Sequence, residues 1–278
     1  MTTRTRQGAF TLLELLAAVT LLVVLGTMLF QIFGQAARVT QIGTGRQEVF
    51  QYARSVLTGI EHELIGAITQ RDKSQDLITS GQSKPAFHVF HTPAAIQAFN
   101  TMLNSQVPSR PGTDALTITA AIIGRDTVLN SPTYGQVGNN AWLAYWVNPN
   151  DNPVAHEPWA LNRYECYDIS SNTFYGAGWE VAVNVLEFQV QCLDQFHTPP
   201  LFASMDWDPV ASDTPTGERR GLPLAVTVVL KLTDSSHVNC YQFDAANNVS
   251  ALKSDKTPDD DPVVQQFRHV VRLRETLE

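Results

Sequence analysis

Three cysteines in 278 residues, Cys166, Cys192 and Cys240, with no C-x-x-C spacing, are too few and too scattered for a disulfide framework or a zinc knuckle. Buried thiols are the expectation, since cysteine is among the most buried residue types. Basic residues are also scarce. A formal net charge of −8 disfavours any broad contact with nucleic acid phosphates, which depends on clustered Lys and Arg. The chain has no G-x-S-x-G, H-E-x-x-H, P-loop or G-x-G-x-x-G motif, no internal repeat and no low-complexity tract. Proline is missing between Phe33 and Pro85, so nothing in that stretch forces a helix to stop.

What is present near the start is one long apolar run. From Leu12 to Phe33 the only charge is Glu14, and about 20 apolar residues at ~1.5 Å rise cross a hydrocarbon core of about 30 Å. The preceding Met1 to Gln7 carries Arg4 and Arg6 and no acid, which predicts a cytoplasmic N-terminus and an exported body. A cleaved secretory signal with a cut after Ala36, at Gly34-Gln35-Ala36, is the competing expectation, but the apolar run is longer than a signal core and has an acid at its start.

Beyond Phe33 the apolar pattern becomes one-sided. Ile42, Val49, Ala53, Val56, Ile60 and Ala67 recur at helical spacing, with Leu57, Leu64 and Ile68 widening the stripe. Arg46, Glu48, Arg54, Glu61, Glu63 and Arg71 are expected on the polar side, and Gly43, Gly45 and Gly59 permit a bend. The expected segments are a leader over residues 1–9, a transmembrane helix over 10–33, its amphipathic continuation over 34–72, and a β-rich body over 73–278.

The body reads as antiparallel α+β. Strands are expected at Ala86–Phe90, Ala115–Ile123, Ala141–Val147, Ala160–Tyr167, Glu180–Leu193, Leu222–Thr233, His237–Phe243 and Phe267–Arg274. Thr92-Pro93 predicts an N-cap and first helical residue for a short helix to about Asn104. Asn148–Pro158, Thr198–Gly221 and Asn247–Pro262 read as loops.

Candidate chemistry in the body is thin. His88 and His91 are spaced to point to opposite faces of a strand, a poor arrangement for a shared metal. The acidic run Asp255–Asp261 lacks the glycine and ligand order of an EF-hand and reads as solvated loop. Ser250-Ala251-Leu252-Lys253 matches S-x-x-K without its partner motifs. Asp206-Trp207-Asp208 sets two acids too close in sequence to flank a glycosidic bond, and the five tryptophans suit core or interface. No catalytic residue, cofactor or metal ligand is assigned.

The segment Gly8 to Leu16, GAFTLLELL, closely resembles the prepilin-type cleavage and methylation segment of type IV pilins and type II secretion pseudopilins. The resemblance covers roughly the first quarter of the chain. It implies a pilin-like fold, a long helix packed on an antiparallel sheet, and processing by a prepilin peptidase before Phe10, whose new amino group is then methylated. Glu14 becomes the fifth mature residue, engaging the terminal amine of a neighbouring subunit. One departure matters, because the family has glycine directly before the phenylalanine and Ala9 intervenes here. Cutting between Ala9 and Phe10 keeps Glu14 fifth; cutting between Gly8 and Ala9 makes it sixth. A lone carboxylate in hydrocarbon costs on the order of 3 kcal/mol, so it is expected to sit near the membrane edge, be protonated or meet a cation, and the freed amine of Phe10 is such a cation.

The later pattern, Val185-Leu186-Glu187-Phe188, then Trp207, then Leu222-Pro223-Leu224-Ala225-Val226, resembles the J-type minor pseudopilins, and the N-terminal segment is shared with the Verru_Chthon cassette protein C family. The resemblance implies a non-enzymatic minor subunit of a secretion fibre, held in the inner membrane by one span with a periplasmic body, and the chain's size and large loops point to a minor or tip component rather than the repeating unit. Its implied partners are prepilin peptidase, other (pseudo)pilin subunits, the inner-membrane assembly platform and membrane lipid. A type IV pilus minor pilin or adhesin, and an anchored or secreted enzyme with its site in the long loops, are the alternatives.

Overall fold

The computed structural model describes residues 12–67, 87–103, 112–122, 124–127, 131, 134–138, 141–147, 159–167, 177–194, 201–208, 222–234, 241–243, 249–251 and 264–273. It divides into two units between Thr44 and Gly45. Helix α1 (Leu12–Ile65) runs for 54 residues. From Leu12 to Phe33 its side chains are apolar almost all round and exposed, among them Leu12, Leu13, Leu16, Phe30 and Phe33. The hydroxyls of Thr20 and Thr27 fold back onto the carbonyls of Leu16 and Val23, so neither is left unbonded on this apolar surface.

In the second unit the helix turns amphipathic. Val49, Ala53, Val56, Leu57, Ile60 and Leu64 are buried, as their spacing predicts. Gly45 permits close approach, because a Cβ there would lie 2.3 Å from Oδ2 of the buried Asp234. The helix stops at Ile65, earlier than the expected Asp72. Gly66 then accepts a backbone hydrogen bond from Ala121 at 2.9 Å and Ala67 pairs with Ala120, which draws the chain into contact with a strand.

The strands are β1 (Phe87–Phe90), β2 (Ala115–Ala120), β3 (Gly124–Arg125), β4 (Val137–Gly138), β5 (Ala141–Val147), β6 (Leu161–Cys166), β7 (Ala177–Ala182), β8 (Val185–Asp194), β9 (Leu201–Ala203), β10 (Ala225–Leu232), β11 (Tyr241–Phe243), β12 (Val249–Ala251) and β13 (Gln265–Arg272). A first sheet has the order β1-β2-β5-β6-β7 and a second β13-β10-β8-β9, while β3-β4 and β11-β12 are small ribbons. Every pairing is antiparallel. The buried stripe of α1 shares one core with Leu116, Ile118, Leu143 and Tyr145 of the first sheet and Phe188, Val190, Val228 and Leu230 of the second. The helix therefore covers one face of each. Helix α2 (Pro93–Met102) covers the other face of the first sheet, where Ile96 and Phe99 meet Phe90, Trp142 and Trp146. Burial of β5 on both faces follows from that sandwich.

The expected strand Glu180–Leu193 is two strands in different sheets. Asn184 adopts φ 59°, a left-handed conformation that Asn tolerates better than most residues, and the chain leaves the first sheet there for the second. The expected loops Thr198–Gly221 and Asn247–Pro262 contain β9 and β12. Asn148–Pro158 and the start of the His237–Phe243 strand lie outside the described residues.

Candidate functional site

The expected processing residues Gly8, Ala9 and Phe10 lie outside the described residues. Glu14 is placed in the first turn of α1, exposed among exposed leucines. Carboxylates are favoured there because the unbonded amides and the helix dipole present positive charge, an effect of about 0.3–1 kcal/mol. The helix is long and apolar enough at this end to cross a membrane. Glu14 thus stands at the N-terminal end of a candidate span, where an acid costs least.

At the other end of α1 a part-buried ionic network ties the helix to the first sheet. Arg163 on β6 reaches Oε1 of Glu63 with Nη2 at 2.7 Å and Nε at 2.8 Å, and Oε2 of Glu165 with Nη1 at 2.5 Å. The Tyr145 hydroxyl donates to Glu63, the Tyr167 hydroxyl donates to Glu165, and the guanidinium lies 5.2 Å from the centre of the Trp179 ring. Burial, then the Glu63 charge, pushes the Tyr145 phenol up, so it stays a donor throughout the physiological range. The helical pattern placed Glu63 on the polar side with Glu61. It instead faces the sheet, three residues after Ile60 and one before Leu64, a spacing that does lie on the buried face.

A second polar cluster closes the β1–α2 corner. Thr92 is the N-cap of α2, accepting from the Ala95 amide at 3.3 Å, with Pro93 opening the helix as the sequence predicts. Asp206 accepts from the His91 amide at 2.6 Å, the Thr92 amide at 2.8 Å and the Thr92 hydroxyl at 2.6 Å. Trp207 beside it is fully buried in the core, and its backbone pairs with Val89. His91 Nδ1 lies 2.7 Å from Oδ1 of the buried Asp114, whose Oδ2 accepts from the Val190 amide at 2.6 Å. Among the described residues no group of three or more His, Cys, Asp or Glu is placed to hold a metal ion. His88 instead stacks on Phe90 at 4.1 Å.

The same cluster sets a pH dependence. Burial alone would raise the Asp206 carboxyl, but the hydrogen bonds from Thr92 and His91 outweigh it and hold its pKa below the ordinary value. A depressed carboxyl contributes stability above its unfolded pKa of about 3.9 and loses it as the pH falls through that value toward the folded one. Asp206→Asn is expected to cost about 1 kcal/mol near neutral pH, since charge-assisted bonds are about twice as strong as neutral ones, and to flatten the acid limb of the stability curve. Urea midpoints at neutral pH and at about pH 3 check this. An equal loss at both values would show that the charge is immaterial.

The remaining sequence motifs lie only partly within the described residues. Ser250 lies in β12, whereas Lys253 and the Asp255–Asp261 run are outside the described residues. Cys166 and Cys192 are buried, and Cys240 is outside. Trp142, Trp146 and Trp207 are core residues, while Trp179 is half exposed.

The fold is α+β, a long N-terminal helix packed over its C-terminal part on antiparallel sheets. No protein-family model matches the chain, and no curated protein sequence does. Among solved structures it is similar to the crystal structure of the GspK-GspI-GspJ complex from the enterotoxigenic Escherichia coli type 2 secretion system, over 82% of this chain and 99% of that one, at 10% identity and a TM-score of 0.41. A likeness this distant assigns neither a family nor a role.

Proposed function

We propose that the chain is a pilin-like minor pseudopilin, a non-catalytic subunit of a type II secretion-like fibre that is anchored in the inner membrane by α1 and carries a periplasmic body. The observation that carries this reading is the segment GAFTLLELL, with its acid in the first turn of a helix that is apolar on every side. That arrangement has an economical use. The acid accepts a terminal amine from a neighbouring helix and sets the register in which apolar helices stack, a contact that hydrocarbon strengthens because neither charge has water as an alternative.

In this reading prepilin peptidase cuts between Ala9 and Phe10, with Gly8 and Ala9 as the other bond, and Phe10 is methylated. Leader, span and body are proposed at 1–9, 10–33 and 73–278, while the helical continuation, expected over 34–72, ends at Ile65. Sibling subunits and the assembly platform are the partners, and the body is placed at the fibre tip. Glu14→Ala tests it: the protein is expected to remain folded and inserted, while its recovery in the assembled fibre fraction falls at least about tenfold, the consequence of losing a contact of roughly 1.4 kcal/mol or more. Undiminished recovery would remove the role assigned to the acid.

A further inference from the structure

We propose that β13 is the docking edge for an acidic extended segment of a partner protein, which adds to the second sheet as a further antiparallel strand. The surface is independent of how the N-terminus is processed. Among the described residues strand β13 ends its sheet, and it pairs with β10 through eight consecutive residue pairs without a bulge. It contains no proline. A long, regular end strand presents a row of backbone donors and acceptors, which proteins ordinarily blunt by bulges, proline or shortness. None of those three devices is used here.

Side chains on both sides of the edge make a built surface. On the α1 side, Phe267 packs edge-on against Phe50 with ring centres 5.1 Å apart, yet Phe50 remains 60% exposed. On the other side, Arg268, Val270 and Arg272 alternate along the strand, and Val270 is 50% exposed. Arg268 reaches back over β10 to donate to Gln191 Oε1 of β8 at 3.1 Å, so its charge lies over that face of the sheet, while Arg272 stands on the same face farther along the strand. An added strand would bury apolar side chains against Phe50 and Phe267 and set its alternate residues against two arginines.

Charge decides the occupant. Two copies of β13 paired antiparallel with the same face aligned and centred between Arg268 and Arg272 bring an arginine of one against an arginine of the other, directly or diagonally, and like charges so placed are destabilising. An acidic strand gains where a second copy loses. Strand addition of this kind draws affinity from main-chain hydrogen bonds and specificity from alternate side chains.

The test uses the full chain in neutral detergent and a fluorescein-labelled peptide of alternating valine and glutamate, as long as β13, with a valine–lysine peptide as control. Saturable binding of the glutamate peptide and none of the lysine peptide is expected by anisotropy. The exposed double variant R268E/R272E should weaken the glutamate peptide at least about tenfold and admit the lysine peptide. A benzophenone in a central valine position of the glutamate peptide should cross-link to Phe50 or Phe267. Equal binding of both peptides, no reversal in the double variant, cross-links elsewhere, or dimers of the full chain that Val270→Lys dissolves would each overturn the proposal.

Discussion

Trp207→Ala is expected to destabilise the body by about 4 kcal/mol, the largest loss of any single truncation considered, because large aromatics removed from cores cost about 3–5 kcal/mol. Trp207 is fully buried and belongs to the core shared by α1 and both sheets. Its backbone is fixed on both sides of the Val89 pairing, Val89 N to Trp207 O at 3.1 Å and Trp207 N to Val89 O at 3.0 Å, while Asp206 is held at the α2 cap. The segment cannot settle inward to fill the void, which places the cost within the upper part of that range. Urea unfolding of the full chain in detergent micelles measures it as a fall in midpoint at unchanged slope. A shift below about 1 kcal/mol would mean the loop adjusts and the pairing with Val89 is not rigid.

Glu63→Ala is expected to cost about 3 kcal/mol, the lower end for breaking a buried ion pair. The side chains of Arg163 and Glu63 are only 13% and 12% exposed, so the remaining guanidinium is not rescued by bulk water. It keeps Glu165 and the Trp179 ring, which is why the upper end is not reached. Tyr145 loses its acceptor at the same time. The double variant with Arg163→Met should recover part of the loss, because the penalty lies in the orphaned charge rather than in the missing attraction. Additive losses in that cycle would contradict the assignment.

How far the chain explains itself differs by element. The apolar run, the switch to a one-sided stripe and the Thr92-Pro93 cap are local signals, and α1 and α2 follow them closely. Strand β5 matches its expected bounds because its seven apolar residues end abruptly on both sides. The sheet change at Asn184 was not legible, since Val181, Val183 and Val185 alternate as one strand would and only the left-handed backbone at Asn184 interrupts them. Glu63 and Arg163 are separated by 100 residues, and Asp206 and Thr92 by 114, so their pairing exists only once the sheets have assembled. Trp207 lies within the stretch Thr198–Gly221 that reads as loop, yet it is buried in the core, one of the two settings expected of the tryptophans.

The N-terminal segment carries the proposed function, and the apolar helix gives it a physical setting. In the proposed reading a processed Phe10 terminus on a neighbouring chain supplies the charge of opposite sign that Glu14 meets. The decisive measurement is the mass of the N-terminal peptide of the mature protein recovered from membranes. A chain beginning at a methylated Phe10 is the predicted result, and a start at Ala9 would place the cut one bond earlier within the same account. An intact Met1, or a start at Ala37, would contradict it.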